Sequence, residues 1–321
     1  MDGPGAAGST PASVERSSFW YRLANSEPLL ALVCIAPAVL LLLFILAFPV
    51  AQTLFYAFFE RNLLKPELGT RFVGLDNFIW LIDYGRFWTA LKNSVILTAL
   101  TVPAELVVGM IVALMLTEPF RGIGLVRGLF ILPWAIPTIV TAFIWRGMFS
   151  PRYGLANQSI SAVWSLVSGE TQHFQFDWFG DANFAFIGLM VVYIWKGFPF
   201  VFLVLLAGLQ ALPAELSDAA KIDGANAWQE FWYVTLPQLR PIITIVLILR
   251  TITVFNFFDL GWLLTGGGPQ DSTLLMPLLV YNRAFVAFQV GRAAALTAVM
   301  FVILAILTYF FLTQQREEET A

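Results

Sequence analysis

Residues 29–51 read LLALVCIAPAVLLLLFILAFPVA and contain no charged side chain. A helix of this length can cross the hydrocarbon core of a bilayer, which is about 30 Å thick. The composition of the chain agrees, because 59% of its 321 residues are hydrophobic and only 12% are charged. Soluble domains contain about 25% charged residues. The sequence therefore predicts an integral membrane protein.

Further apolar stretches are long enough to span the membrane, provided that an occasional intramembrane charge is accepted. Each is predicted to be helical, because a helix satisfies its own backbone hydrogen bonds in lipid. An even number of spans places both termini on the same side. The predicted fold is an all-α membrane protein with six transmembrane helices, at 29–51, 94–116, 129–147, 186–208, 242–264 and 293–312.

The segments outside the spans complete the predicted domain organisation. Residues 1–28 include a stretch rich in Gly, Ala, Ser and Pro and are predicted to be a disordered tail. Residues 29–313 form the six-helix membrane domain, and residues 314–321 form a short polar tail. Lys and Arg are distributed nearly equally between the two sides, so the positive-inside rule gives no orientation.

The sequence carries no motif for nucleotide or metal chemistry. A G-x-x-x-x-G-K-[ST] phosphate-binding loop is absent, and the chain contains no Gly-Lys pair. The only histidine, His173, has no neighbouring Cys or second His to complete a zinc site. The only cysteine, Cys34, cannot form a disulfide within the chain. We therefore expect neither an enzyme nor a metal site.

A polar segment, 212–237, lies between the fourth and fifth predicted spans and reads LPAELSDAAKIDGANAWQEFWYVTLP. Pro213 suits the first turn of a helix, and Glu215 and Lys221 suit the positive and negative ends of its dipole. Gly224 suits the residue that closes a helix. A short helix is predicted here, and the residues that share one of its faces are Leu216, Ala219, Ala220 and Asp223.

This segment resembles the EAA loop of permeases of ATP-binding-cassette (ABC) importers, a cytoplasmic loop whose short helix docks into a groove of the ATPase. The family pattern is Glu-Ala-Ala, three residues, Gly, and later a hydrophobic-x-Leu-Pro ending. Asp218 stands here in place of the Glu. The resemblance implies that coupling to the ATPase involves Glu215, Asp218, Ala219, Ala220, Asp223, Gly224, Leu236 and Pro237.

Other segments resemble carbohydrate permeases of the maltose type, in the same order along the chain. They are FVGLDNF (72–78), RGLFILPWAIPTIVTAFIWRGMF (127–149), IWKGFPF (194–200), the pair Phe258-Asp259, and TGGGP (265–269). Each pattern is weak alone, but together they cover nearly the whole chain from about residue 30. The resemblance implies the compact form of the type I ABC importer permease fold, with six helices and a cytoplasmic EAA coupling loop.

The family also implies a function and partners. The chain would form half of the path for a sugar, most closely a di- or oligosaccharide such as trehalose or maltose, with glycerol 3-phosphate as an outlying alternative. Its partners would be a second homologous permease, a dimer of ATP-binding subunits and an external sugar-binding protein or lipoprotein. ATP and Mg²⁺ would be bound by the partner ATPase, with no cofactor in this chain and no nucleic acid. The expected location is a prokaryotic plasma (inner) membrane, in contact with its lipid, with cytoplasmic termini.

Ionisable side chains inside the predicted spans need a partner or a wet cavity, because each costs about 2.5–3.5 kcal/mol near mid-bilayer on insertion scales. These side chains are Glu105, Lys196, Arg250 and Asp259. Glu105 and Arg250 lie near the middle of their spans, and we predict that they form an ion pair between two helices. Whether the charges only hold helices together or also contact a substrate is left open.

The fifth span combines charged, polar and aromatic residues. In a straight helix, Arg250, Val254 and Phe257 would share one face. Asn256 and Asp259 would lie together on roughly the opposite face. One of these faces is then expected to contact a neighbouring helix and the other the transport path.

Pro133, Pro137 and Pro199 each remove a backbone donor from a predicted span. The carbonyl groups left unpaired need another partner, and such breaks are where transport sites form. Aromatic side chains nearby suit the apolar faces of a pyranose, although they also serve as ordinary packing groups. By resemblance to maltose-type permeases, the sugar-binding residues would be Trp134, Thr138, Tyr193, Lys196, Gly197, Phe200, Val254, Asn256, Phe257 and Asp259.

A second functional class is an ion-coupled secondary carrier that uses Glu105, Lys196 and Asp259 as a relay. Inverted internal repeats would favour such a carrier, and the sequence contains none that we detect. The polar segment 212–237 favours the importer, because a carrier does not need a docking helix. The sequence leaves open which sugar is carried. It also leaves open whether this chain or a partner permease, itself a different chain or a second copy, contacts that sugar.

Overall fold

The computed structural model of the chain describes residues 27–320. The chain divides between Thr53 and Leu54 into two compact units. In the first unit, α1 (Glu27–Leu42) continues through a π-helical stretch, Leu43–Ala47, into α2 (Phe48–Tyr56), which ends in the second unit. The tail predicted to be disordered, 1–28, lies almost wholly outside the described residues.

The second unit is built almost entirely of helices. Two short strands, β1 (Phe59–Glu60) and β2 (Arg71–Phe72), pair antiparallel, and a 3₁₀ turn at Pro66–Leu68 lies between them. Further π-helical stretches occur at Phe231–Thr235 and Asn282–Val286. The helices are α3 (Asp76–Asp83), α4 (Gly85–Met115), α5 (Ile123–Ala135), α6 (Thr138–Met148), α7 (Leu155–Ser168), α8 (Ala182–Ala211), α9 (Ala214–Ile222), α10 (Ala227–Glu230), α11 (Leu236–Asn256), α12 (Asp259–Leu264), α13 (Met276–Tyr281) and α14 (Val290–Thr320).

Among the described residues, five helices are long and apolar enough to cross a membrane, or six if the bent pair of α5 and α6 counts as one span. This confirms the predicted all-α membrane fold. The helices extend beyond the predicted spans, because hydropathy marks only their apolar centres. The five candidates besides that bent pair are Leu30–Tyr56, Gly85–Met115, Ala182–Ala211, Ala227–Leu264 and Val290–Thr313.

The third span, predicted over 129–147 with a break or kink at its prolines, is broken. Helices α5 and α6 meet at an angle of 96°. Ile136 is extended, with φ −66° and ψ 131°, which is the conformation that a following proline favours. Pro137 therefore causes the break locally. In contrast, α8 continues through Pro199 without interruption.

The predicted fifth span, 242–264, lies within the candidate span Ala227–Leu264, but it is not one straight helix. Helix α11 ends at Asn256, Phe257 is extended with φ −76° and ψ 102°, and α12 begins at Asp259. Neither Gly nor Pro occurs at this break, and the Phe257 carbonyl accepts a hydrogen bond from the Tyr193 hydroxyl of α8. Helical spacing therefore relates Arg250 to Val254, which both lie in α11, but not to Phe257 or Asp259, which lie beyond its end.

Helices α4 and α8 pack closely along their lengths and form the centre of the second unit. Gly109 makes the approach possible, because a Cβ atom there would lie 2.8 Å from Val201 Cγ1 and 3.0 Å from the Phe202 amide nitrogen. Small residues at such contacts are typical of membrane helix pairs. The α4–α8 pair is the scaffold against which α5 and α11 pack.

The segment after α12 is attached to the beginning of α4. Arg86 forms a bidentate ion pair with Asp271, with both N–O distances at 2.7 Å. The Asn93 amide donates to the carbonyl oxygens of Asp271 and Ser272, at 3.2 and 3.1 Å. These bonds fix the loop that leads from the broken fifth span into α13.

Candidate functional site

A cavity of about 370 Å³ lies between the two helix breaks. Its wall consists of the α5–α6 break, one turn of α8, and the last turns of α11 with the following residue. The lining residues are Trp134, Ala135, Ile136, Pro137, Thr138, Tyr193, Lys196, Gly197, Arg250, Thr253 and Phe257.

The structure brings six of the ten predicted sugar-binding residues to this cavity, namely Trp134, Thr138, Tyr193, Lys196, Gly197 and Phe257. The other four lie elsewhere. Val254 is 1% exposed within the apolar core, and Phe200 packs against the core with its ring 6.0 Å from the Arg250 guanidinium carbon. Asn256 and Asp259 are exposed outside the lining of the cavity.

Sequence reasoning missed part of the lining. Thr253 was not named on the predicted face of Arg250, although it follows Arg250 by about one helical turn, a spacing that could have found it. Ala135 and Ile136 lie between the two prolines of the third span, and their backbone becomes accessible only because the helix breaks there. The predicted break alone could therefore have identified Ala135 and Ile136 as lining residues.

The predicted contact between Glu105 of α4 and Arg250 of α11 is present. Arg250 Nε donates to Glu105 Oε2 at 2.6 Å, and Nη2 donates to Oε1 at 2.8 Å. Glu105 is 0% exposed and Arg250 is 8% exposed. Both oxygens of the carboxylate are thus engaged by one planar guanidinium, the geometry of a strong bidentate pair.

Because Gly197 has no side chain, the ion pair can occupy the space beside it. A Cβ atom at this position of α8 would overlap the Glu105 carboxylate and press on the Arg250 guanidinium. The absence of a side chain is therefore required at this point by the ion pair. Gly197 lines the cavity as predicted, but the structure gives it this additional packing role.

Lys196 directs its ammonium group to the backbone of the broken third span. Nζ donates to the carbonyl oxygens of Pro133 at 3.0 Å and Trp134 at 3.3 Å, and also to that of Ile136. An ammonium group has three N–H donors. All three are engaged, so no N–H group remains for the sugar contact that was predicted for this side chain.

Tyr193 makes the corresponding contact with the broken fifth span. Its hydroxyl group donates to the carbonyl oxygen of Phe257 at 2.7 Å, and the two rings meet edge to face at 5.2 Å. One turn of α8 thus contributes Tyr193 to one helix break and Lys196 to the other.

The groups left available in the cavity are aromatic faces and hydroxyls. Trp134 is 52% exposed, and Phe257 and Thr138 are half-buried. The Thr253 hydroxyl donates to the Leu249 carbonyl at 2.7 Å, which leaves its oxygen free to accept. No carboxylate is among the lining residues. The cavity therefore offers apolar surfaces and neutral hydrogen-bonding groups.

The polar segment 212–237 contains the predicted short helix. Helix α9 spans Ala214–Ile222, with Glu215 in its first turn and Lys221 in its last turn. Gly224 has φ +80°, and the next amide, from Ala225, donates to the Ala220 carbonyl at 2.9 Å. A glycine in this conformation terminates the helix and turns the chain.

The predicted contact face of α9 is largely open. Leu216, Ala219 and Asp223 are exposed, whereas Ala220 is half-buried. Two further positions of the predicted set, Glu215 and Asp218, are exposed as well. The remaining two, Leu236 and Pro237, are the half-buried first residues of α11, and Leu236 packs against the apolar core.

Hydrogen bonds within this segment were not predicted. The Ser217 hydroxyl donates to Glu230 Oε1 at 2.6 Å and links α9 to α10. Asn226 and Gln229 form a reciprocal capping box at the beginning of α10, with both bonds at 2.9 Å. The N-x-x-Q spacing is a recognisable variant of the capping-box pattern.

Three transport-system permeases are similar in sequence to this chain over most of its length. Permease protein SmoG of the sulfoquinovosyl glycerol transport system of Agrobacterium fabrum is 34% identical over 91% of this chain and 92% of its own length. The trehalose/maltose transport system permease MalF of Thermococcus litoralis is 34% identical over 91% and 95%. The trehalose transport system permease SugA of Mycobacterium tuberculosis is 32% identical over 89% of both chains.

A solved bacterial alginate ABC transporter, in complex with an alginate pentasaccharide-bound periplasmic protein, contains a chain with the same fold. The TM-score is 0.76 at 21% identity, over 93% of this chain and 97% of that one. The model of the family described as binding-protein-dependent transport system inner membrane component matches residues 105–316. The chain therefore belongs to this family, the membrane-spanning permeases of ABC importers.

Proposed function

We propose that the chain forms half of the translocation path of an ATP-driven, binding-protein-dependent importer for a neutral di- or oligosaccharide, with trehalose and maltose as the leading candidates. The observation that carries this proposal is the cavity between the two helix breaks. It combines aromatic faces with hydroxyl groups, and both of its cationic side chains already have partners.

The charge balance of the cavity argues for an uncharged ligand. The positive charge of Arg250 is balanced by Glu105 through the bidentate pair. The charge of Lys196 lies against carbonyl groups at the carboxyl end of α5, where the helix dipole is negative. An anionic ligand would have to compete with these fixed partners, whereas a neutral sugar would not.

The sugars named for the similar proteins are either negatively charged or neutral. Sulfoquinovosyl glycerol and alginate, which appear in the names of two similar proteins, carry negatively charged groups, whereas trehalose and maltose are neutral. The cavity supports the neutral class for this chain. Trp134 offers a face for the apolar side of a sugar ring, and Thr138 and Thr253 offer hydroxyl groups for its polar edge.

Transport would require partners that the chain does not supply. The absence of a phosphate-binding loop in the sequence supports a dimer of separate ATP-binding subunits, which would hold the ATP and Mg²⁺. A second homologous permease would complete the path, and an external sugar-binding protein or lipoprotein would deliver the sugar. The open face of α9 would enter a groove of the ATPase, so both termini would lie in the cytoplasm. The chain would lie in a prokaryotic inner membrane.

The contacts of the intramembrane charges argue against an ion-coupled carrier. A relay through Glu105, Lys196 and Asp259 needs side chains that exchange protons or ions during the cycle. Both oxygens of Glu105 are bound by Arg250, and all three donors of Lys196 are bound by carbonyl groups. These contacts support fixed structural roles for two of the three relay members.

We expect Trp134→Ala to lower sugar uptake by roughly tenfold, the size of effect seen when an aromatic side chain that a ligand covers is truncated. Uptake should be measured in the complete complex with saturating sugar-loaded binding protein, so that the rate reports on the membrane path. The matched control is Ile139→Ala, which removes a neighbouring exposed side chain outside the cavity lining and should leave uptake unchanged. Equal effects of the two substitutions would contradict the assignment of this cavity.

A further inference from the structure

The break between α5 and α6 leaves backbone carbonyl groups without helical partners. In a continuous helix the Pro133 carbonyl would accept from residue 137, but Pro137 has no N–H group. The backbone bonds that flank the break run from Ile136 to the Leu132 carbonyl and from Thr141 to the Pro137 carbonyl. Neither of these two bonds involves the carbonyl groups of Pro133, Trp134 or Ile136.

Lys196 supplies the missing donors from a neighbouring helix. Its ammonium group contacts the carbonyl oxygens of Pro133, Trp134 and Ile136, and the side chain is only 9% exposed. Carbonyl groups at membrane depth need such partners, because no water is present in the bilayer core to replace them. A positive charge is also favoured at the carboxyl end of α5.

These contacts are made to the wall of the cavity. Trp134 and Ile136 both line it, and Thr138 begins α6 directly after the break. A shift of the carbonyl groups would carry the Trp134 side chain with them. The position of the ammonium group therefore determines where the sugar-facing groups of the third span lie.

We propose that Lys196 is a positioning residue whose ammonium group holds the broken third span in its bent conformation and thereby fixes Trp134 and Thr138 on the cavity wall. It does so without contacting the ligand. The inference rests on the proposed function only in treating this cavity as the ligand site. The contact with the backbone is independent of what is transported.

Cysteine labelling tests this proposal, because Cys34 is the only native cysteine. In a Cys34→Ser background, Thr138→Cys reports on the wall beside the break and Thr253→Cys reports on α11 elsewhere in the lining. N-ethylmaleimide is a suitable reagent because it is uncharged, so the loss of the lysine charge does not change its local concentration. The assembled complex is labelled without sugar or ATP.

We expect Lys196→Met to change the labelling rate of Thr138→Cys by roughly tenfold or more, the effect of losing charge-assisted hydrogen bonds. The rate at Thr253→Cys should stay within about twofold, because Thr253 lies on α11 whereas the ammonium contacts of Lys196 are made to the third span. Lys196→Arg, which keeps the charge and supplies N–H donors, should retain the parental rate at Thr138→Cys. An unchanged rate in Lys196→Met at normal abundance would overturn the proposal.

If Lys196→Met does not assemble, a second substitution keeps the proposal testable. Pro137→Ala restores the N–H group that the Pro133 carbonyl lacks, so it should recover assembly of Lys196→Met in part. A double variant that assembles no better than Lys196→Met would overturn the proposal. Because neither readout involves sugar, Lys196 can hold the break even if the chain proves to carry another ligand, and the two proposals fail separately.

Discussion

Glu105→Gln should sharply lower the yield of assembled complex, because it leaves the Arg250 guanidinium buried without a counter-charge. Removing one partner of a buried ion pair costs about 3–5 kcal/mol. The pair is well enclosed, with Glu105 0% exposed, so little water is available to compensate. Membrane abundance and the thermal unfolding temperature of the purified complex measure the loss.

The double variant Glu105→Gln with Arg250→Gln distinguishes the effect of an unpaired charge from the effect of changing the two side chains. It should recover part of the yield, because no uncompensated charge is left. A double variant no better than the worse single variant would show that the pair does not stabilise the complex in this way.

Gly197→Ala should disrupt the same ion pair without altering either charge. The added methyl group overlaps the Glu105 carboxylate, so the carboxylate and the guanidinium must separate. Gly147→Ala is the matched control, because a Cβ atom at that helical position meets no other atom within 4 Å. Equal yields for the two alanine variants would contradict the packing role of Gly197.

Gly224→Val should lower both sugar uptake and sugar-stimulated ATP hydrolysis while the permease remains inserted in the membrane. Gly224 has φ +80°, a conformation that costs an ordinary residue about 1–2 kcal/mol and suits a β-branched residue even less. The competent turn should therefore become roughly 5–30-fold rarer. Sugar uptake and sugar-stimulated ATPase activity should fall together, at normal abundance of the complex.

Gly224→Asn is the control for the turn, because Asn tolerates the left-handed conformation better than other residues with a side chain. No other atom lies within 4 Å of a Cβ atom at this position, so a clash inside this chain does not explain either effect. Greater activity in the Asn variant than in the Val variant would identify the turn as the requirement. Wild-type activity in Gly224→Val would show that this segment is not the coupling element.

The fold could be predicted from the sequence where the residues of a segment themselves determine its structure. Long apolar stretches with few charges predicted the spans, and Pro137 predicted the broken third span. The break at Phe257 had no such signal. The Tyr193 hydroxyl that bonds its carbonyl comes from another helix, and only the packed structure brings the two together.

The candidate site was predictable to a similar extent. Resemblance to maltose-type permeases brought Trp134 and Tyr193 correctly to the cavity, and similar depth in the membrane paired Glu105 with Arg250. Lys196 was assigned to the sugar because a sequence cannot show that carbonyl groups of another span engage its ammonium group. Asp259 was misplaced because the helix ends before it.

In the proposed function, this chain moves sugar only as the permease of an ATP-driven complex. The most direct test is sugar uptake into proteoliposomes, comparing the chain alone with its complex containing a second permease and two ATPase subunits. We predict that uptake requires the complex, ATP and sugar-loaded binding protein, and that an ion gradient drives none through the chain alone. Uptake by the chain alone, driven by a proton or sodium gradient, would contradict the account.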